Sequence, residues 1–253
     1  MKSFTLSINR LPESISGDVP VYNVGLGRRV KNILLGTYKD TTPKTALDGL
    51  FEGTPKGGLY LNTSELYHHL TYQRVKDYED INYVHIDNHA DAGYVRGKKS
   101  SNVCFASFTE DIAHLSNISD IYMLGAGYPP VSSCSGADID DKDWKAKIDE
   151  LDIGKDIYLS IDLDVLNSAN YNSLSSQGLI DLERLLDIIE YLKPKVVAAD
   201  IVNLDKRSEL EIEAYDAVSK AIQGEDFDLT RFKELRKDRY SDLEGFELER
   251  AKQ

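Results

Sequence analysis

Cysteines, long apolar stretches and targeting signals are scarce or missing in this sequence, and each absence excludes a class of protein. Only two cysteines, Cys104 and Cys134, occur among 253 residues, which is too few for the disulfide framework of small secreted proteins. No apolar run approaches the length of a membrane-spanning helix, and no charged-plus-hydrophobic leader begins the chain. We therefore expect a soluble protein of the reducing cytoplasm.

Basic residues are in the minority, because 30 lysines and arginines face 43 aspartates and glutamates and give a formal charge of −13. An acidic surface repels the phosphate backbone of nucleic acids and attracts cations. A nucleic-acid partner is therefore not expected, whereas a basic peptide or a small guanidino or amine compound would be attracted. Solubility alone also explains such a charge.

Apolar strand-like runs alternate with helical patterns along the chain. Strands are predicted at residues 58–61, 83–87, 120–125, 157–161 and 195–201, and helices at 66–75, 144–151, 181–192 and 209–222. This alternation is typical of an α/β protein with three layers, in which helices cover both faces of a central, mostly parallel sheet. We expect one domain over residues 1–253 with a charged C-terminal segment from about residue 225, and an irregular loop at 129–141.

Two of the predicted strands end in side chains that can bind metal. Asp87, His89 and Asp91 follow the strand at 83–87, and Asp162 and Asp164 follow the strand at 157–161. Alternate side chains of an extended chain point to one side, so the first three converge if the chain stays extended past the strand end. Both groups fall at the carboxyl edge of a parallel sheet, where binding sites lie.

Four carboxylates and one imidazole in a partly buried pocket would repel one another unless cations neutralise them. Ligation mainly by oxygen suits Mn²⁺ better than structural zinc, which prefers sulfur and nitrogen. A single strand-end aspartate is usually a turn or cap residue. Because two such clusters occur on two strands, a metal site is favoured.

The sequence resembles the ureohydrolases, the family of arginases and agmatinases that shares a fold with metal-dependent deacetylases. Residues 87–91, Asp-Asn-His-Ala-Asp, are similar to the family motif Asp-Ala-His-x-Asp, and residues 160–164, Ser-Ile-Asp-Leu-Asp, to its Ser-x-Asp-x-Asp motif. Gly178-Leu179 before a helix and Asp200-Ile201-Val202 at a strand end are similar too. The resemblance extends from about residue 55 to about residue 222 and is weak between the motifs.

The resemblance implies a centre of two Mn²⁺ ions bridged by Asp87 and Asp162. Asp91 would bind one ion, and His89 and Asp164 the other. Solvent between the ions would be acidified to hydroxide near neutral pH and would attack the central carbon of a guanidinium, releasing urea and an amine. Many ureohydrolases are homo-oligomers, and an oligomer is an open expectation here.

The chain departs from the family pattern at the first metal-binding motif. The family has Gly-Gly-Asp-His there, whose His is a ligand, whereas residues 62–65 are Asn-Thr-Ser-Glu. Glu65 is the candidate replacement as an oxygen ligand, and His68 and His69 follow about one helical turn later. Capping of a helix by Ser64 is the alternative interpretation. One metal subsite is therefore expected to be weak or differently built.

Further departures concern substrate binding. Cys104 stands where arginases have a proton-shuttling His, and a thiol either transfers protons or packs as an apolar group. Asn203 stands where the family has a guanidinium-binding Glu, so Asp205 is the candidate counter-charge unless the substrate is not a guanidinium. Gly93 stands where a polar residue recognises the carboxylate of free arginine. Together with Asp91, we take Cys104, Asn203 and Asp205 as candidate catalytic residues.

We therefore expect a metal-dependent amidinohydrolase that converts arginine to ornithine and urea, acting on arginine side chains within a peptide, as some arginase-like proteins of similar size do. Two alternatives stay open. One is an arginase-like binding protein without turnover. The other is a metal hydrolase of a different C–N bond, in free arginine, agmatine, an amide or a formimino group.

Overall fold

The structure is a computed structural model, and it describes residues 5–7, 21–23, 42–48, 51, 56–61, 65–92, 102–103, 107–125, 134–154, 156–167, 169, 178–203 and 209–223. The strands are β1 (Thr5–Ser7), β2 (Val21–Asn23), β3 (Thr42–Pro43), β4 (Leu59–Leu61), β5 (Ile81–Ile86), β6 (Asn102–Val103), β7 (Ile118–Leu124), β8 (Ser135–Ala137), β9 (Ile157–Asp162) and β10 (Val196–Val202). The α-helices are α1 (Thr71–Val75), α2 (Phe108–Ala113), α3 (Trp144–Glu150), α4 (Leu182–Leu192) and α5 (Glu209–Gln223). Short 3-10 helices occur at Lys44–Ala46, Glu65–Leu70, Leu163–Val165 and Lys193–Lys195.

Eight of these strands form one sheet in the order β2-β1-β4-β10-β9-β5-β7-β8. Every neighbouring pair in it is parallel, whereas β3 and β6 form a separate antiparallel pair. Ile161 of β9 pairs with Ile86 of β5 on one side and with Ile201 of β10 on the other. The carboxyl ends of these three strands therefore lie side by side at one edge of the sheet.

Helices cover both faces of the sheet. Tyr83 and Tyr158 belong to an apolar cluster with residues of α1 and α2, and Val84 and Leu159, their neighbours in sequence, belong to a cluster with α3, α4 and α5. Strands β5 and β9 are buried along their whole length, as expected of central strands covered on both faces. The predicted three-layer α/β fold is confirmed.

The prediction of helices is confirmed for the longest two. Helix α4 begins after Asp181, whose side chain accepts a hydrogen bond from the backbone N–H of Arg184 at 2.8 Å, the usual action of an N-cap. Helix α5 spans 209–223, against a prediction of 209–222. No helix in the described ranges is both long and apolar enough to span a bilayer. The charged segment from about residue 225 lies outside these ranges, so the single-domain boundary stays a prediction.

The prediction of an irregular loop at 129–141 is wrong for its middle part. Residues Ser135–Ala137 form β8, which pairs with β7 through Tyr122 and Ser135. Small residues such as these have low strand propensity, so their sequence does not indicate a strand. The backbone pairing with β7 at the edge of the sheet produces it.

A glycine fixes the turn that follows β9. The backbone N–H of Gly178 donates to the carbonyl oxygen of Asp164 at 2.7 Å. A Cβ atom at Gly178 would lie 1.8 Å from the carbonyl oxygen of Val165. Because this oxygen belongs to the backbone, the clash could be removed only by moving the backbone. The segment at 178–180 therefore packs directly on the 3-10 turn that carries Asp164.

We expect Gly178→Ala to lower the free energy of unfolding by about 1–3 kcal/mol, the usual cost of overpacking, because the added methyl group displaces this turn. Leu179→Ala is the matched control, since Leu179 is 74% exposed and such surface changes stay within about 0.5 kcal/mol. Urea denaturation followed by circular dichroism measures both. Equal stability of the two variants would contradict the close packing.

Candidate metal centre

The aligned ends of β5 and β9 bring three buried aspartates together. Asp87 follows β5, Asp162 ends β9, and Asp164 lies in the 3-10 turn after it. The backbone N–H of Asp164 donates to Asp162 Oδ1 at 2.9 Å, and the N–H of Asn88 donates to Asp164 Oδ1 at 3.2 Å. These contacts hold the carboxylates of two neighbouring strands at the same level.

The chain does not stay extended after β5, which was the condition for convergence by strand alternation. Asp87 Oδ1 accepts a hydrogen bond from the backbone N–H of His89 at 2.6 Å, which turns the chain, as aspartate side chains commonly do. Asp91 has a positive φ of 43°, and its carbonyl accepts a hydrogen bond from Thr109 Oγ1 at 2.7 Å. The metal-ligand candidates of this segment still converge, but through a tight turn.

His89 faces Asp164 and Asp87. Its Nδ1 lies 2.7 Å from Asp164 Oδ2 and 3.6 Å from Asp87 Oδ1. Its side chain is partly exposed, unlike those of Asp87 and Asp164. The predicted grouping of His89 with Asp164 is therefore present in the structure.

A second histidine, His68, faces Asp91 and Asp162. It lies in the 3-10 helix Glu65–Leu70, and its Nδ1 is 3.2 Å from Asp91 Oδ2, 3.5 Å from Asp162 Oδ2 and 3.8 Å from Asp87 Oδ2. His68 lies about one helical turn after residues 62–65, and its Nδ1 is a candidate nitrogen ligand on this side of the cluster. The side chain of Glu65 lies outside the described residues, and its role as a ligand stays a prediction.

A network of hydroxyl groups fixes the orientation of His68. Its Nε2 is 3.0 Å from Ser160 Oγ, and Ser160 Oγ donates to Asp200 Oδ1 at 2.6 Å. Thr71 and Tyr158 donate to the other oxygen of Asp200 at 2.6 and 2.8 Å. Because Ser160 gives its proton to Asp200, its oxygen accepts the Nε2–H of His68 and turns Nδ1 toward the carboxylates. This is how an outer carboxylate orients a metal-binding imidazole. Although burial opposes it, contact with Asp162 and Asp91 raises the pKa of His68 well above its usual value, so Nδ1 of the metal-free site carries a proton that a cation would displace.

His85, which the sequence motifs do not indicate, lies on the same face of β5 as Tyr83 and Asp87. Its Nδ1 is 3.0 Å from the Tyr83 hydroxyl, its Nε2 is 2.9 Å from Asp87 Oδ2, and its ring stacks on His68 at 5.1 Å. Burial, helped by the charge of His68, lowers the pKa of His85 to about 4, so its ring is neutral. Counting alternate positions back from Asp87 would have found it.

The ligand-type atoms form two adjacent groups that share Asp87. Atoms of the first group, namely His68, His85, Asp87 and Asp91, lie within 4.8 Å of one another, as do those of the second group, namely Asp87, His89 and Asp164. His68 Nδ1 and Asp87 Oδ2 are buried without a hydrogen-bond partner. Leaving such atoms unsatisfied costs about 1–3 kcal/mol each, so the pocket fits divalent cations that these atoms would bind.

Without a bound cation, the electrostatics of the cluster keep protons on several of its side chains. Burial, followed by the charges of Asp91 and Asp162, raises the pKa of Asp87 to about 8. Burial, followed by the charges of Asp162 and Asp87, raises the pKa of Asp164 to about 9. The contact with Asp164 raises the pKa of His89 to about 11. Several of these groups therefore hold protons at neutral pH.

Of the candidate catalytic residues other than Asp91, only Asn203 lies within the described ranges. Asn203 is buried with a positive φ of 77°, and its Nδ2 donates to Asp162 Oδ1 at 2.9 Å. With the N–H of Asp164, it gives this oxygen two donors and leaves Oδ2 on the side of His68. Cys104 and Asp205 lie outside the described residues, so their roles stay predictions.

Comparison with known proteins supports the fold. No family model matches the chain, and no curated protein matches its sequence. The arginase of Bacillus subtilis matches in structure with a TM-score of 0.58 and 13% identity, over 88% of this chain and 99% of that one. The agmatine ureohydrolase of Thermoplasma volcanium matches with a TM-score of 0.57 and 18% identity, over 88% and 79%.

A formiminoglutamase variant from Trypanosoma cruzi, solved with Mn²⁺, matches with a TM-score of 0.53 and 12% identity, over 82% of this chain and 76% of that one. At such identities the likeness establishes the fold. This chain has the three-layer fold of the ureohydrolases, as the resemblance of its motifs implies.

We expect Mn²⁺ binding to release protons at pH 7, because metal ligands must be deprotonated and the raised pKa values of Asp87 and Asp164 keep protons on the metal-free cluster. For the same reason, affinity should rise from pH 6 toward pH 9. Calorimetric titration in buffers of different ionisation enthalpy measures the proton count. A binding enthalpy that does not depend on the buffer would contradict this account.

Proposed function

We propose that this protein is a Mn²⁺-dependent hydrolase of amidine C–N bonds, which converts arginine side chains within a basic peptide to ornithine and releases urea. The observation that carries this proposal is the convergence of His68, His89 and four aspartates at the strand ends of a ureohydrolase fold. The buried Nδ1 of His68, which has no hydrogen-bond partner, supports a metal at this place.

The donor set suggests how two ions would be held. One ion would lie among His68, Asp87, Asp91 and Asp162, and a second among His89, Asp87 and Asp164. Asp162 stays our candidate for a second carboxylate shared by both ions. Asp87 directs Oδ2 toward His68 and Oδ1 toward His89, as a carboxylate shared by two ions would. The mainly oxygen donors favour Mn²⁺, which is also the metal in the Trypanosoma cruzi structure. Two ions held by these residues would supply hydroxide near neutral pH and would polarise the bond to be cleaved.

The residues around the ligands keep them in place for this chemistry. Asp200 and Ser160 orient His68 with its Nδ1 toward the carboxylates. Asn203 and the N–H of Asp164 hold Asp162 so that Oδ2 faces His68. A rigid ligand set of this kind is what an active site needs to position substrate and nucleophile.

Substrate recognition is proposed from charge. The formal charge of −13 attracts a basic peptide. Asp205 is our candidate for the counter-charge of the guanidinium, and Cys104 our candidate for proton transfer to the leaving amine. We place the reaction in the reducing cytoplasm, in keeping with the two cysteines of the sequence.

A second candidate function follows from Asn203. Its amide donates to Asp162, and it brings no negative charge to the position where the family binds guanidinium. A neutral substrate such as an amide, or a formimino group, would not require that charge. The same ligand set would serve its hydrolysis.

We expect the Mn²⁺-loaded protein to release urea from an arginine-containing peptide and to leave ornithine in it. Urea assay and mass spectrometry of the peptide measure the reaction, with free arginine, agmatine, a carboxamide and a formimino compound as parallel substrates. Turnover of only the last two would replace the proposed function by the second candidate. No turnover of any of them, with less than one Mn²⁺ per chain after loading, would favour a binding protein without activity.

We expect Asp162→Asn to abolish turnover and to remove most of the bound Mn²⁺ while the fold is kept, because a neutral amide cannot replace a carboxylate ligand. Metal analysis and circular dichroism measure the two effects. Asp187→Asn, an exposed change on α4, is the matched control and should keep both metal and turnover. Full activity in Asp162→Asn would show that the site lies elsewhere.

A further inference from the structure

His85 is a buried histidine that the motif resemblance leaves without a role. It lies two positions before Asp87 on β5, so both side chains point to the same face of the sheet. Its ring packs against the ring of His68 at 5.1 Å and that of Phe108 at 5.7 Å, and these two rings lie 4.5 Å from each other. It therefore sits beside the first group of ligand atoms and away from solvent.

The Nε2 atom of His85 points at that group. It lies 2.9 Å from Asp87 Oδ2, yet neither atom has a hydrogen-bond partner, and the same holds for Nδ1 of His68. The ligand atoms of His68, His85, Asp87 and Asp91 all lie within 4.8 Å of one another. Three buried polar atoms without hydrogen-bond partners thus face one small volume.

The spacing of these atoms fits donors around one cation. Adjacent donors with bonds of about 2.1 Å lie about 3 Å apart in octahedral coordination. The distance from His85 Nε2 to Asp87 Oδ2 is 2.9 Å, and that from His68 Nδ1 to Asp91 Oδ2 is 3.2 Å. A cation would satisfy all these atoms, which otherwise remain buried at a cost.

The other ring nitrogen of His85 has the outer partner that a metal-bound imidazole requires. Nδ1 lies 3.0 Å from the hydroxyl of Tyr83. If Nδ1–H donates to this oxygen, the lone pair is on Nε2 and faces the carboxylates. In the opposite tautomer Nε2 carries the proton and would donate it to Asp87 Oδ2. His85 Nε2 is therefore a metal ligand in the first tautomer and a hydrogen-bond donor in the second.

The geometry points to His85 as a further metal ligand through Nε2, so that the first subsite offers two imidazoles, from His68 and His85, beside its carboxylates. A subsite with two imidazoles accepts Zn²⁺, Fe²⁺ or Co²⁺ more readily than one with a single imidazole. The two subsites would then differ in metal preference, with the His89 subsite the one better suited to Mn²⁺. This inference rests on the proposed metal centre and is independent of the substrate.

Nitrogen NMR of the wild-type protein, labelled with ¹⁵N in its histidine rings and titrated with Zn²⁺, tests the inference directly. Zn²⁺ is diamagnetic and binds imidazole nitrogen. We expect the resonances of His68 Nδ1, His85 Nε2 and His89 to move to zinc-bound positions, while exposed His114 stays unchanged. A proton retained on His85 Nε2 while His68 and His89 move would overturn the inference and leave the metal centre intact. Unchanged resonances for all three would overturn both.

Metal affinity of His85→Phe gives a second, independent readout. Phe keeps an aromatic ring beside His68 and Phe108 but cannot bind a cation as a ligand. We expect its affinity for Zn²⁺ to fall by more than about 100-fold, beyond the usual effect of losing only an outer hydrogen-bond partner, and its affinity for Mn²⁺ to fall less. His114→Phe is the matched control and should bind both metals as the wild type does. An equal loss for Zn²⁺ and Mn²⁺ would contradict the assignment.

Discussion

Repulsion among four neighbouring carboxylates is the constraint on which the rest of this structure depends. Asp87, Asp162 and Asp164 are buried at the ends of two adjacent strands, and Asp91 completes the group. Buried like charges cannot all stay ionised without compensation, so the cluster must bind protons or cations. The raised pKa values of Asp87 and Asp164 favour bound protons in the metal-free cluster. The two adjacent groups of ligand-type atoms would allow cations to bind instead.

The fold builds this site by aligning strand ends. The shared register of β5, β9 and β10 brings Asp87, Asp162 and Asn203 to one edge of the sheet, and Gly178 holds the turn that carries Asp164. His68 comes from a separate 3-10 helix, and its orientation depends on Ser160 of β9. These contacts at the edge of the sheet therefore also place candidate metal ligands.

The parts of the site that could be predicted from the sequence are those that obey strand periodicity. Asp162 ends the buried apolar run of β9, as the sequence predicts. Asp164 lies in the 3-10 turn that follows, so strand alternation does not describe its position. The turn at 87–91 was not predicted, because the hydrogen bond from the N–H of His89 to Asp87 decides it locally. The choice of His68 over His69 was also open, because the direction of a side chain on a 3-10 helix depends on the partner it meets. Strand β8 has no sequence signal of its own and depends on β7.

Anomalous diffraction from crystals grown with Mn²⁺ can show whether this cluster binds two metal ions. We expect two anomalous peaks on either side of Asp87, one beside His68 and Asp91 and the other beside His89 and Asp164. The absence of any peak there, or peaks only at the exposed acidic group of Asp138, Asp140 and Asp141, would contradict it.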